Sequence, residues 1–523
     1  MEIPKEVKFV IERLKEAGFE AYIVGGCVRD ILRGVKPQDW DVATNAKPEE
    51  IGKLFLRSFT DNKFGTVKVL IQKSKRKMEN ENGKSKEEKT KKEYMEIEVT
   101  PFRIEAKYTD KRHPDEIHWA ETIEEDLARR DFTVNAIAID LEGRKSTVEG
   151  RQREKPPTFN LQPITYRVID PFEGQKDLKN KVIRAVGKPE ERFEEDALRL
   201  MRAIRFAITL GKGWKIESKT KKAIQKKAGL LEFISKERIR DELMKIIMSE
   251  RAAEGIELLR RLGLLRYIIP ELEEGYKVTQ NKHHIYDCYE HSLLSLKYAA
   301  QRGFNKYVRL AALLHDIAKP RVKKGEGPNA TFYGHEVLGA KMTAQILHRL
   351  RFSKKEIEKI AKLVRYHLFY YNVGEVGESS VRRLMRKVGP ENMEELLQVR
   401  QADRIGSGVP KAEPYKLRHL RYLIEKLARD PISVKMLKVS GNDVMAILDI
   451  QPGPKVGQIL DILLGYVLED PKKNEREFLL KEIRRLGQLS EKNLAELAQK
   501  AKKKRNQLEM KRDEMTKRKY WIT

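Results

Sequence analysis

Apolar residues recur at Val7, Val10, Ile11 and Leu14 with a helical period, and Gly18 ends the run. The spacing predicts a helix over 1–18. A short apolar run then predicts a strand over 21–24, a short helix over 28–32 and a strand over 40–43. A helix over 48–56 leads to strands at 66–71 and 94–99, where apolar and polar residues alternate. A core strand is expected at 136–140. From about residue 190 the period is helical throughout. Residues 255–272 read as a helical turn-and-helix stretch, 431–471 as a small helical module and 491–523 as a basic helix or tail. That last stretch holds 11 Lys/Arg against five Asp/Glu. No internal repeat is present.

Two stretches fit no regular element. Residues 73–93 carry nine Lys/Arg and five Glu and almost nothing apolar, so they read as a solvated hairpin insertion. Residues 149–165 are polar and proline-rich and read as a second insertion.

Composition narrows the class. A chain of 523 residues, 40% hydrophobic and 36% charged, suits several helix-rich domains with modest cores. With no 18-residue apolar run and no signal-like start, neither a membrane nor a secreted protein is expected. Two cysteines, Cys27 and Cys288, make no disulfide framework and suit a reduced cytoplasm. The net charge of +28 suits a polyanionic partner bound with strong salt dependence. A merely Lys/Glu-rich surface is the blander account of that charge.

The chemistry concentrates in YIVGGCVRDILRGVKPQDWDVAT. Asp39 and Asp41 stand two apart on an expected strand, so their carboxylates share a face. Such a pair can hold two divalent metals for phosphoryl transfer. Gly25 and Gly26 let the backbone approach a triphosphate closely, and Arg29 adds charge there. Glu98 and Glu96 alternate onto one face of the next strand, and either can serve as a third carboxylate.

This arrangement resembles the nucleotidyltransferase core of the class II CCA-adding enzyme and bacterial poly(A) polymerase family. Further segments agree in order: FGTVKV (64–69), EVTPFR (98–103), DLARRDFTVNAIA (126–138), DPFEGQKDLKNKVIRAVG (170–187), EEDALRLMRAIRFA (194–207) and ISKERIRDELMKII (234–247). The resemblance implies a multidomain fold. An N-terminal mixed α/β palm (1–148) would precede an all-α neck (166–250), body (251–282), HD domain (283–425) and tail (426–523). It implies Asp39, Asp41 and Glu98 as catalytic carboxylates holding Mg²⁺. It implies nucleotide contacts from Gly25, Gly26, Arg29, Arg103, Arg130, Asp131 and Asn135, with Asn135 in the strand after the Arg129-Arg130 pair. Residues 104–118 match the family's mobile loop. Asp196 and Arg199 would choose the base, sharing a helix face as i and i+3, and Arg202 and Arg205 would continue the basic face. A carboxylate and a guanidinium together can match the Watson–Crick edges of both C and A.

A second pattern, His291…His315-Asp316…Asp403, has ALLHDIAKP at its centre on an apolar helix, with His335 and His367 between. It resembles an HD-type metal-dependent phosphohydrolase. Its ligand set suits a transition metal such as Ni²⁺ or Mn²⁺. His283, His284 and His348 read as bystanders. GNDVMAILDIQPGPKVGQIL (441–460) reads equally as a phosphate-binding turn or a packing turn.

The resemblance therefore implies a cytoplasmic enzyme that adds CCA to tRNA 3′ ends from CTP and ATP, with an RNA end-repair phosphohydrolase in the same chain. Relatives that add only A, only CC or a poly(A) tail are the near alternatives. An RNA phosphohydrolase with a vestigial polymerase half is the alternative of a different class.

Overall fold

Strict alternation builds the head's sheet. Val67, Val69 and Ile71 are buried on one face, as are Ile97 and Val99, while the residues between them are more exposed. In the computed structural model, which describes residues 3–60, 65–73, 93–106, 116–142, 165–281, 285–428 and 434–522, the first elements are α1 (Lys5–Glu16), β1 (Ala21–Val24), α2 (Gly26–Leu32), β2 (Asp41–Thr44) and α3 (Pro48–Leu54). Next come β3 (Ser58–Thr60), β4 (Val67–Gln72), β5 (Tyr94–Pro101), β6 (Arg103–Ala106), β7 (Glu116–Trp119) and α4 (Ile123–Ala128). The head ends with β8 (Ala138–Glu142), β9 (Thr165–Ile169) and α5 (Gly174–Asn180).

Seven strands form one sheet in the order β3-β4-β5-β2-β1-β8-β9. Only β2 and β5 run parallel; the other neighbours are antiparallel. One face packs α1, α2 and α3 through Val10, Leu14, Val28 and Ile51 onto Ile23, Val42 and Ile97. The other face is lined by small residues, Ala43, Ala136 and Ala138, under Phe102, Ile123 and Leu127. Neighbouring residues on a strand face opposite ways. Asp41 therefore shares the Ala43 face, and Glu98 is its direct partner in the register.

Among the described residues beyond the head the elements are helices, apart from the two-residue parallel pair β10 (Val182–Ile183) and β11 (Lys215–Ile216) and an isolated bridge between Lys324 and Thr331. The helices α6 (Pro189–Glu195), α7 (Leu198–Thr209), α8 (Ser218–Lys227), α9 (Lys236–Ile247), α10 (Ala252–Arg261) and α11 (Pro270–Glu273) follow. Then come α12 (Cys288–Gln301), α13 (Lys306–Leu314), α14 (Lys319–Val322), α15 (His335–Arg349) and α16 (Lys354–Tyr366). Asp287 caps α12 and Asn305 caps α13 by accepting backbone N–H bonds, a device that adds about 1 kcal/mol to a helix.

The chain divides into two compact units: Met1–Val364 with Gly406–Gly408, and Arg365–Ile405 with Val409–Thr523. The second unit contains α17 (Glu378–Val388), most of α18 (Met393–Gly406), α19 (Tyr415–Ala428), α20 (Gly441–Leu448), α21 (Pro454–Glu469), α22 (Arg476–Gly487) and α23 (Glu491–Lys519). Its core joins Ile459 and Leu463 of α21, Leu479 and Ile483 of α22, and Leu494 and Ala498 of α23. Further along α23, Asp513 accepts a 2.6 Å bond from the Tyr422 hydroxyl of α19, and Lys519 donates to Glu425 at 2.7 Å. No helix among the described residues is long and apolar enough to cross a membrane.

Several expectations shift. The strand expected over 40–43 begins at Asp41, so Asp39 lies in the bend before it. Asn135 closes a 3-10 turn, Thr133–Asn135, ahead of β8 rather than sitting in the strand. The head's sheet takes its last strand from Thr165–Ile169, beyond the expected boundary at 148. Residues 74–92 and 143–164, which cover nearly all of both insertions, lie outside the described residues, as do 107–115 of the loop over 104–118 and His283 and His284.

Gly174 opens α5 against the 3-10 turn that carries Asn135. A Cβ there would lie 2.3 Å from the Thr133 carbonyl oxygen and 2.7 Å from Ile137. Gly174→Ala is therefore expected to destabilise the head by about 1–3 kcal/mol, read as a lower urea midpoint with an unchanged slope.

Candidate nucleotidyltransfer site

Three carboxylates meet at the edge of β2. Asp41 is partly exposed, Glu98 stands opposite it on β5, and Asp39 is exposed in the preceding bend. Lys68 of β4 bridges Glu96 at 2.9 Å and Glu98 at 3.8 Å. Burial pushes the Asp41 carboxyl up to about 6; the Arg130 guanidinium opposes this, while Glu98 and Asp39 reinforce it. The site is short of positive charge, and a divalent cation fits that donor set.

The glycine turn faces the same point. Gly25 has φ +78°, and a Cβ there would lie 2.9 Å from Arg130 Nη1 and 3.2 Å from Asp41 Oδ2. Glycine at this position keeps a cradle open between a guanidinium and a carboxylate. Arg130 is itself aimed by Asp126, a buried carboxylate at the end of α4. Asp126 accepts from Arg130 Nη2 at 3.0 Å and from Arg129 Nη2 at 2.6 Å. Burial raises the Asp126 carboxyl, but Arg130 and Arg129 outweigh it and hold it below its ordinary range. Sequence reasoning assigned no role to Asp126. Its signal was an acid at i−3 and i−4 from two arginines at a helix end.

Arg29, Asn135, Asp131 and Arg202 form one chain of contacts. Arg29 Nη1 donates to Asn135 Oδ1 at 2.9 Å, Asn135 Nδ2 donates to Asp131 Oδ1 at 3.1 Å, and Arg202 Nε donates to Asp131 Oδ2 at 2.7 Å. Arg29 also pairs with Asp30 at 2.9 Å. Arg205 donates to Glu242 at 2.7 Å. Arg103 opens β6 just past Phe102.

Asp196 and Arg199 do not share a helix. α6 ends at Glu195, Asp196 is extended (φ −136°, ψ 103°), and α7 starts at Leu198. The i,i+3 argument therefore fails, because a break separates the two residues. Each has another partner instead. Arg238 of α9 grips Asp196 with bonds of 2.7 and 3.1 Å. Arg199, buried, donates to Glu195 at 2.5 Å and to the Arg129 carbonyl at 3.0 Å. Sequence reasoning missed Arg238, for which no local signal was available.

The histidine pattern divides between the units. In the first, His291 Nε2 and His315 Nε2 stand 2.8 Å apart, and Asp316 Oδ2 lies 3.1 and 3.2 Å from them. Lys319 Nζ lies 2.7 Å from the same oxygen, and His335 Nε2 is 3.4 Å from Asp316 Oδ1. The His315-Asp316 pair sits in the turn after α13, not on the expected helix. His315 Nδ1 donates to the Ala312 carbonyl and His335 Nδ1 to the Phe332 carbonyl, at 2.9 and 2.7 Å. Those bonds leave Nε2 as the ligand nitrogen on both rings. Two imidazole nitrogens around one carboxylate oxygen fit a transition metal. In the second unit, Asp403 on α18 accepts from Arg400 at 2.6 Å, and His367 is buried after α16.

Asp131 gives the head a pH signature. Burial raises its carboxyl, but Arg202, the Asn135 amide and Arg199 overcome this and bring it down to about 2. A carboxylate depressed from an unfolded value of about 3.9 stabilises the fold above that pH, and the contribution is lost as pH falls toward 2. The contribution is about 2–3 kcal/mol. Urea titrations between pH 5 and 2.5 are expected to show stability falling with pH in the parent chain, with a shallower slope in Asp131→Asn.

Comparison with known proteins identifies the family. Residues 21–184 match the poly(A) polymerase head domain, 213–275 the probable RNA and SrmB-binding site of polymerase A, and 288–407 the HD domain. The chain is 31% identical over 485 residues to a CCA-adding enzyme of Lactococcus lactis, covering 92% of this chain and 97% of that one. It is also 31% identical over 452 residues to an A-adding tRNA nucleotidyltransferase of Deinococcus radiodurans, covering 85% and 90%. A CCA-adding enzyme of Bacillus stearothermophilus, solved in complex with CTP, shares the fold with a TM-score of 0.52 and 26% identity, covering 94% of this chain and all of that one. The chain therefore belongs to the CCA-adding enzyme and poly(A) polymerase family of nucleotidyltransferases, with an HD domain in the same polypeptide.

Proposed function

We propose that this enzyme adds CCA to tRNA 3′ ends from CTP and ATP without a nucleic-acid template. The observation that carries the reading is the carboxylate cluster Asp39, Asp41 and Glu98 facing the Gly25 cradle and Arg130. Asp39, Asp41 and Glu98 would hold Mg²⁺, which when bound supplies Lewis acidity to the attacking and leaving oxygens. The protein's own part is positioning. The glycine turn admits the triphosphate and Arg130 pairs with it. Asp196, steadied by Arg238, and Arg199, steadied by Glu195, present an acceptor and donors to the base edge. The 3′-hydroxyl of the RNA attacks the α-phosphorus and pyrophosphate leaves. The net charge of +28 supports a tRNA partner, and two free buried cysteines support a cytoplasmic setting.

The A-adding relative matches as well as the CCA-adding one, so A-only addition is the rival reading. We infer a second activity for the HD domain: hydrolysis of phosphate ends on RNA by a transition metal such as Ni²⁺ or Mn²⁺. By the resemblance, His291, His315, Asp316 and Asp403 would be the ligands, and His335 and His367 are further candidates. The Nδ1 bonds that orient His315 and His335 support it.

A tRNA lacking its CCA end, incubated with Mg²⁺ and CTP and ATP separately and together, tests the polymerase half. Three residues added only with both nucleotides are expected. A-only or CC-only extension assigns a specialised relative, a long ladder with ATP assigns a poly(A) polymerase, and no extension refutes the proposal. Asp41→Ala is expected to lower incorporation by about 10³-fold while sparing hydrolysis of 2′,3′-cyclic nucleotides. Asp316→Ala is expected to do the reverse. Arg238→Ala leaves Asp196 without its grip and is expected to change the CTP-to-ATP incorporation ratio more than the total rate.

A further inference from the structure

Three arginines converge on one buried ring. Arg29 of α2 lies 5.4 Å from the centroid of Phe206, Arg202 of α7 lies 5.4 Å from it, and Arg205 lies 3.9 Å from it. Phe206 is 4% exposed and packs edge-on against Phe132 at 5.7 Å. Each arginine has its own carboxylate: Asp30 for Arg29, Asp131 for Arg202 and Glu242 for Arg205. The contacts through Asn135 and Asp131 then close a loop, running Arg29, Asn135, Asp131, Arg202, Phe206 and back to Arg29.

Three like charges around one point repel one another. The carboxylates neutralise them, but a carboxylate fixes only the end of a flexible side chain that it touches. A ring face attracts a guanidinium through its quadrupole and uses none of its N–H donors. Carboxylate and ring together therefore set each guanidinium plane while its hydrogen-bonding capacity stays directed elsewhere. Arg33, one residue past α2, repeats the device on a second ring, lying 5.6 Å from Trp214 and donating to the Leu210 carbonyl. The helix that begins at the glycine turn is thus tied to the helix that follows Asp196.

We propose that Phe206 is a positioning residue for nucleotide binding: its ring holds Arg29, Arg202 and Arg205 in the arrangement that receives the triphosphate. This rests on the reading that those arginines face the nucleotide. Phe206 touches no reacting atom and acts through them. Its effect should therefore scale with phosphate number and leave the base and sugar indifferent.

The test is calorimetric binding of CTP and of CMP to the full chain. Phe206→Met keeps an apolar side chain of similar volume without a π face. It is expected to weaken CTP about tenfold and CMP less than twofold. A second series replaces Phe206 with mono-, di- and trifluorophenylalanine, which keep the ring's shape and withdraw density from its face. CTP affinity is expected to fall stepwise with fluorine number while CMP affinity stays flat. A CTP affinity that does not change along that series, or equal weakening of CTP and CMP, overturns the proposal. Arg29→Ala, Arg202→Ala and Arg205→Ala separate the two layers. If none of them weakens CTP, the assignment of these arginines to the triphosphate fails. If they do and the fluorinated series is flat, the role of Phe206 alone fails.

Discussion

Unbalanced negative charge at the edge of β2 is the constraint around which the head is organised. Parallel pairing with β5 sets Glu98 directly against Asp41, and the bend before the strand adds Asp39. A cluster of that sign in a partly desolvated cleft opposes folding unless cations are aimed at it. Arg130 is the protein's own answer, and it is held in aim by Asp126 from the opposite side. The glycine turn follows from the same need, since a side chain at Gly25 would enter the gap between Arg130 and Asp41. What remains of the imbalance suits a divalent cation.

The neck works by the opposite rule. There four arginines are matched locally: Arg202 with Asp131, Arg205 with Glu242, Arg238 with Asp196 and Arg199 with Glu195. Asp131, Glu242 and Arg199 are buried, and breaking one partner of a buried pair leaves an uncompensated charge. Such a framework is stiff. The head concentrates unlike charge at one edge of a sheet, and the neck holds its arginines at fixed positions.

How far this could be read from the sequence depended on distance along the chain. Alternation located β4 and β5 within two residues at each end, and the apolar stripe located α1, which is shorter than the expected 1–18, because burial on one face imposes those periods directly. Asp39 and Asp41 stood out because two acids so close to a GG turn are rarely decoration. Asp196 and Arg199 were found as residues but misplaced in geometry: a helical period was continued through a break that has neither proline nor glycine to mark it. Arg238, Glu242 and Phe206 are ordinary residues of amphipathic helices in one dimension. Only the fold brings Arg238 to Asp196 across 42 positions and Glu242 to Arg205 across 37.

The 29-residue helix α23 imposes an order in time on the second unit. Its first turns complete the core with α21 and α22, whereas its later turns reach back to α19, where Tyr422 finds Asp513 91 residues downstream. At synthesis rates of about 5–20 residues per second, α19 emerges roughly 5–18 seconds before that partner exists. During that interval α19 can already pack on α17, but the Tyr422 hydroxyl lacks its acceptor. The contacts that join α19 to α23 can therefore form only after the two helices have been separated in time by the synthesis of everything between them.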